Sequence, residues 1–180
     1  MRRFAPCLLL ILLTGCSSNP LERDTAEVLM FGPTHMRLHP IFTQVKNWSG
    51  DNTPDGIEAE VEFQDQFDDP TKAAGKIMFE LFSYRQGFPD PRGDRLVNPW
   101  VGSLLTLQQQ REHWNRTSRT YSFQLAMPGI SLKQSYVLTA MFEHSNGRRF
   151  FSRLILNAQV PDVPKAGPTM PTPTTRPVGK

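Results

Sequence analysis

The sequence predicts an all-β fold, a single antiparallel β-sandwich of about seven strands. Three observations predict it. Apolar and polar residues alternate with period two, turn chemistry sits between the alternating runs, and no long amphipathic helical pattern interrupts them between Thr34 and Val160.

In chain order, Met36 to Val45 reads as a first strand. The clearest alternation follows, with Ile57, Ala59, Val61 and Phe63 interleaved with Glu58, Glu60, Glu62 and Gln64, which places one face in a core and the other in water. Gly75 to Arg85 is apolar on both faces (Ile77, Met78, Phe79, Leu81, Phe82, Tyr84), as suits a central strand. Trp100 to Leu107 reads as another strand and Gln108 to Trp114 as a short helical turn. Tyr121, Phe123 and Leu125 alternate with Ser122 and Gln124. Last, Tyr136 to Glu143 and Arg149 to Leu156 flank Ser145-Asn146-Gly147-Arg148, and an Asn-Gly pair between two such runs predicts a hairpin, since both residues tolerate positive φ. Immunoglobulin-like, transthyretin-like and C2-like strand orders all accommodate this pattern.

The ends of the chain differ from its middle. Arg2 and Arg3 precede the apolar run Leu8-Leu9-Leu10-Ile11-Leu12-Leu13, which is far short of the ~20 residues a spanning helix needs. Residues 1–15 therefore read as a secretory signal peptide. Leu13-Thr14-Gly15-Cys16 resembles the lipobox of bacterial lipoproteins. That resemblance implies a diacylglyceryl group on Cys16, cleavage before it, and, with Ser17 next, sorting to the outer membrane facing the periplasm. Each buried methylene contributes about 0.8 kcal/mol, so two or three chains hold firmly. Residues 16–33 read as the lipidated N-terminus and tether, and 34–160 as the β-sandwich domain. Residues 161–180, rich in Pro and Thr, read as a disordered tail that cannot bury enough apolar surface to offset its ordering entropy.

The chain carries 20 basic and 17 acidic side chains, and its pI of 9.1 overstates its basic character. Without Arg2 and Arg3 the count is 18 to 17, and between Thr34 and Val160 it is 14 to 13. Such a balance exerts no sequence-wide pull on nucleic acid. The two cysteines, Cys7 and Cys16, fall in the signal and at the lipid site, so the mature domain is expected to hold neither disulfide nor thiolate metal site.

Within the domain, Asp51-Asn52-Thr53-Pro54-Asp55-Gly56 resembles a calcium loop. Asp51, Thr53 and Asp55 fall at its first, third and fifth positions, Gly56 at the sharp turn and Glu62 at the twelfth. Pro54 and the strand-like setting of Glu62 depart from that pattern, and a Pro-Asp-Gly turn entering a strand accounts for the same letters. Calcium is the one cofactor the sequence suggests. Asp51 to Asp69 holds eight carboxylates without a Lys or Arg, whereas Arg92 to Arg119 holds five arginines. These are solvated faces or patches that steer a partner. Trp114, Arg116 and Arg119 are the partner-binding candidates. Trp48, Trp100, Trp114, Phe88 and Tyr121 are the rings from which a sugar-stacking platform would be drawn.

No nucleophile elbow, mature cysteine nucleophile or phosphate-cradling loop appears, so the expectation is a non-enzyme. His39-Pro40-Ile41-Phe42-Thr43-Gln44-Val45, with Pro54-Asp55-Gly56-Ile57-Glu58 after it, resembles an uncharacterised family of small planctomycete-type envelope lipoproteins, which brings no activity with it. In overall plan the chain is also similar to the lipid-anchored β-sandwich lipoprotein of type VI secretion machines. The expected function is a membrane-anchored envelope module that binds or holds a partner protein. A glycan-binding or calcium-assisted binding domain is the alternative, and a hydrolase the remaining one.

Overall fold

The computed structural model describes residues 30–51 and 53–157. The signal segment 1–15, Cys16, most of the tether and the tail 161–180 lie outside the described residues.

The described chain is mostly β. Its order is β1 (His35–Leu38), β2 (Gln44–Lys46), β3 (Gly56–Gln64), β4 (Gly75–Tyr84), β5 (Arg92–Arg95), β6 (Trp100–Ser103), α1 (Leu107–His113), β7 (Trp114–Asn115), β8 (Thr120–Ala126), β9 (Tyr136–His144) and β10 (Arg149–Leu156). Two antiparallel sheets result. In the first, β3 lies between β8 and an edge shared by β1 and β2, with β7 beyond β8. In the second, β4 lies between β9 and an edge shared by β5 and β6, with β10 beyond β9.

The inward residues are those the alternation marks. Ile57, Ala59 and Val61 of β3 meet Leu125, Phe123 and Tyr121 of β8 in register, Phe63 meets Met36 of β1, and Ile77, Phe79 and Leu81 of β4 meet Phe142, Ala140 and Leu138 of β9. Large and small side chains alternate across the rungs. Phe123 sits opposite Ala59 and Phe79 opposite Ala140, and the two rings meet between the sheets at 5.2 Å. Phe63 and Phe142 meet there too, at 4.6 Å. Both central strands begin on glycine, because a Cβ at Gly56 would strike the Leu125 carbonyl and one at Gly75 the Glu143 carbonyl.

Among the described residues ten strands stand where about seven are expected, and the surplus lies at broken edges. The run Met36 to Val45 splits around Pro40, which has no N–H to continue a ladder. Thr43 repairs the gap. Its hydroxyl accepts from the Glu60 N–H at 3.0 Å and donates to the Glu60 carbonyl at 3.3 Å, replacing a rung that neither β1 nor β2 supplies. The short segments β2, β5 and β7 carry too few residues for any period to be legible.

The Asn146-Gly147 hairpin forms, with one difference. Gly147 alone takes positive φ, at 85°, while its N–H donates to the His144 carbonyl and the His144 N–H donates to Arg148. A turn closed by one left-handed glycine needs only one permissive residue. The short helical turn is α1, which buries none of its residues and is held by a Thr106–Gln109 capping box. Gln110 docks it, with Nε2 donating to the Ala73 and Leu104 carbonyls at 2.7 Å each while Oε1 accepts from the buried Tyr121 hydroxyl. Burial pushes the Tyr121 phenol pKa up. Tyr136, at the start of β9, folds its hydroxyl back onto Ser131, donating to the carbonyl and accepting from the N–H at 3.1 Å each.

Candidate partner-binding face

The pleat gives each sheet a second face. On the first sheet it is mainly polar, bearing Glu58, Glu60 and Glu62 beside Gln124, Ser122 and Thr120, with Ala126 at the end of β8. On the second sheet, the residues between the inward ones of β4, β9 and β10 include Met78, Met141 and Phe151. Met78 pairs with Val101 on one side and Met141 on the other, and Met141 pairs with Phe151. One rung of four apolar side chains thus crosses four of the sheet's five strands, ~14 Å at the usual strand spacing. Val101 is 72% and Phe151 70% exposed, and the two methionines are half-buried. A contiguous exposed apolar row differs in kind from single surface hydrophobics, which need no explanation.

Charged rungs border it. On one side Lys76 pairs with Glu143 and Glu143 with Arg149, whose guanidinium reaches the Glu143 carboxylate at 3.2 Å. On the other side Glu80, Thr139 and Arg153 form the next rung, with Arg95 Nη1 at 3.0 Å from Glu80 Oε1. One rung further the face is closed. Val137 lies between Phe82 and Ile155 and is fully buried although it stands apart from the core cluster.

Residues between β4 and β5 return along this closed part, where the Arg85 N–H donates to the Pro91 carbonyl at 2.8 Å. Asp90 is their fastening point. Arg92 forks onto it, with Nε at 3.0 Å from Oδ1 and Nη2 at 2.8 Å from Oδ2, while Arg153 Nη1 approaches Oδ1 at 3.5 Å. The Arg92 fork, then its backbone N–H, hold the Asp90 carboxyl down at about 2. A cleft of about 430 Å³ lies between this fastening and the apolar rung, lined by Met78, Glu80, Arg92, Met141, Phe151 and Arg153 among others.

The residues singled out from sequence lie elsewhere. Asp51 Oδ1 accepts from the Thr53 N–H and hydroxyl at 2.8 and 2.9 Å, a local turn. Asp55 accepts from the Ser49 N–H at 2.7 Å, the Trp48 N–H at 2.5 Å and the Ser49 hydroxyl at 3.1 Å; its pKa is lowered, chiefly by the Ser49 N–H. The structure does not bring Glu62 to them. Seven residues of extended chain beyond Asp55, ~23 Å along the strand, it bonds Arg37 Nε at 2.6 Å. Among the described residues no three His, Cys, Asp or Glu side chains converge as a metal site.

Trp114, Arg116 and Arg119 lie in sequence along β7 and the β7–β8 turn, which Arg119 closes with φ of 56°. Trp114 is half-buried, packed edge-on against Tyr121 at 4.9 Å, with Lys72 Nζ 5.2 Å from its ring. Of the candidate stacking rings, Tyr121 is buried, Trp100 and Trp114 pack on the core, and Phe88 is exposed with the Arg85 guanidinium 4.8 Å from it. The acidic stretch 51–69 supplies the first sheet's polar face, while Arg92 and Arg95 serve the second. The two patches do not pair with each other through any ion pair among the described residues.

Sequence reasoning missed Met78, Val101, Met141 and Phe151. The signal was present in Gly75 to Arg85, apolar on both faces, and in the doublets Met141-Phe142 and Phe150-Phe151. A central strand explains apolar residues on both faces only where something covers each face.

No family model, curated protein or solved structure matches the chain. Among the described residues no helix is long and apolar enough to cross a membrane.

Proposed function

We propose that this chain is a non-enzymatic envelope module, held to a membrane by lipid on Cys16, whose domain is an immunoglobulin-like β-sandwich that engages a partner protein through the outer face of its second sheet. The strand orders support the sandwich type. Taking β1 and β2 as one broken strand, the first sheet runs in the order A-B-E-D and the second, read from β10, in the order G-F-C-C′. Tyr136 stands where such domains place a corner tyrosine, two residues before the fully buried Leu138. The chain enters this body at one end, where Thr71 Oγ1 donates to the Phe31 carbonyl at 2.8 Å and Arg148 to the Pro33 carbonyl at 3.4 Å. A tether from Cys16 arriving there leaves the sheet faces at the sides of the domain.

The observation that carries the reading is the rung Val101, Met78, Met141, Phe151. It has an apolar centre and a charged rim, the anatomy of an association surface, and methionine adapts its shape to an incoming side chain. The lipid part rests on the lipobox at Leu13 to Cys16 and on the short apolar run before it. The test uses the full chain in its own cells, with a photocrosslinking residue placed at Phe151 or, on the other sheet, at Gln124. A discrete protein adduct from position 151 and none from 124, together with palmitate incorporation that Cys16→Ser abolishes, is the expected result. Adducts at both positions or at neither, or a protein that takes up no palmitate, overturns it.

A further inference from the structure

Resting on that reading, we infer that the partner presents an apolar segment flanked by carboxylates, with Arg92 and Arg153 at the cleft wall receiving an acidic side chain as Met78, Met141 and Phe151 receive the apolar one. The charge of the face is the reason. Around the rung stand five cations, Lys76, Arg92, Arg95, Arg149 and Arg153, against three carboxylates, Glu80, Asp90 and Glu143. Each carboxylate already has an arginine, and Asp90 has two. Arg92 takes both Asp90 oxygens, so Arg153 keeps a single contact at 3.5 Å. A guanidinium has five N–H donors in a fixed fork that matches a carboxylate, and most of those of Arg153 are unspent at the lip of an apolar cleft. Lys76, across the rung, has no ion pair among the described residues.

Acidic side chains on both flanks of an incoming apolar segment would meet these two groups. A second copy would not, since pairing the face with itself sets its cation excess against itself, which costs association free energy. Desolvation by the apolar rung would strengthen whichever ion pair forms beside it.

The experiment maps the adduct. The photocrosslinker at Phe151 in the lipidated full chain is activated in cells, and the crosslinked partner peptide is sequenced by mass spectrometry. The expected peptide carries large apolar residues with aspartate or glutamate on either side. Adduct yield should fall at least about fivefold in Arg153→Glu, and likewise in Lys76→Glu on the opposite flank, where the lysine itself has no ion pair among the described residues; Lys133→Glu, between β8 and β9 and off the face, should leave it unchanged. An adduct whose peptide is neutral or basic, or whose yield ignores both charge reversals, overturns the inference and leaves the partner face standing. So does a peptide from a second copy of this chain, or an adduct to lipid alone. Loss of every adduct from position 151 removes the face and the inference together.

Discussion

The two outer faces of this domain are built from the same pleat and finished differently. On the first sheet every charged group finds its answer within the sheet. Glu62 takes Arg37, Glu58 takes Lys46 at 3.5 Å, Glu60 accepts from the Thr120 hydroxyl, and the open carbonyls of β8 at Ser122 and Ala126 bond His113 Nδ1 and Trp100 Nε1. Side chains thus blunt an edge that would otherwise template another strand. On the second sheet each carboxylate is paired but Lys76 has no ion pair among the described residues, and the rung between the charges is apolar and open. Glu60 and Glu62 are buried on the first sheet's face, with partners that lie within the same sheet. Four apolar residues in one rung, two exposed and two half-buried, have no such internal answer, because only apolar contact relieves them.

The sharpest way to test that contrast uses adjacent residues of β9 that point to opposite sides. Phe142 is fully buried against Phe63, whereas Met141 belongs to the open rung. Phe142→Ala should cost about 3–5 kcal/mol in urea unfolding, and Met141→Ala less than about 1 kcal/mol while weakening the partner adduct. Equal costs would mean the outer rung is already core.

The first sheet has its own weak point at the broken edge. Thr43→Val keeps the shape but leaves the Glu60 N–H buried without a partner. The expected loss is about 1–3 kcal/mol, read as a lower urea midpoint together with faster hydrogen exchange at the Glu60 amide. Unchanged exchange would mean that β1 or β2 closes the gap by itself. Phe151→Glu on the open face should stay within about 0.5 kcal/mol of the parent and still abolish the adduct. A large stability loss there would make Phe151 structural and erase the contrast between the faces.

How much of this was legible follows from what each feature depends on. Inward residues of β3 and β8 were readable because one buried face imposes period two on the sequence. The split of Met36 to Val45 was not, since Thr43 restores a rung by a side-chain hydroxyl that no pattern announces. Trp114 looked like surface because its neighbours Arg111, Glu112, His113, Asn115 and Arg116 are polar, yet its ring packs on Tyr121. The open rung depends on register between β4, β6, β9 and β10, which aligns residues 23 to 73 positions apart from Met78. Each of its members looks ordinary alone, and only their alignment makes a surface.

The smallest expected effect tests the fastening that closes half of the second face. Asp90 titrates at about 2 in the folded chain against 3.8 for a free carboxyl. A folded value below the unfolded one means the carboxylate contributes stability above pH 3.8, and that contribution fades as the pH falls toward 2. Asp90 is exposed and salt screens such pairs, so the effect should shrink at high ionic strength. Carboxyl NMR shifts of the full chain should show Asp90 titrating well below a free carboxyl, and Asp90→Asn should flatten the pH dependence of unfolding between about pH 4 and 2. In the same variant Arg92 and Arg153 lose their shared partner, so the wall of the cleft should loosen while the Arg37–Glu62 pair on the other sheet stays as it is. If Asp90 titrates at its ordinary value, nothing pins the turn to Arg153, and the boundary between the closed and open halves of the face becomes a matter of loop packing alone.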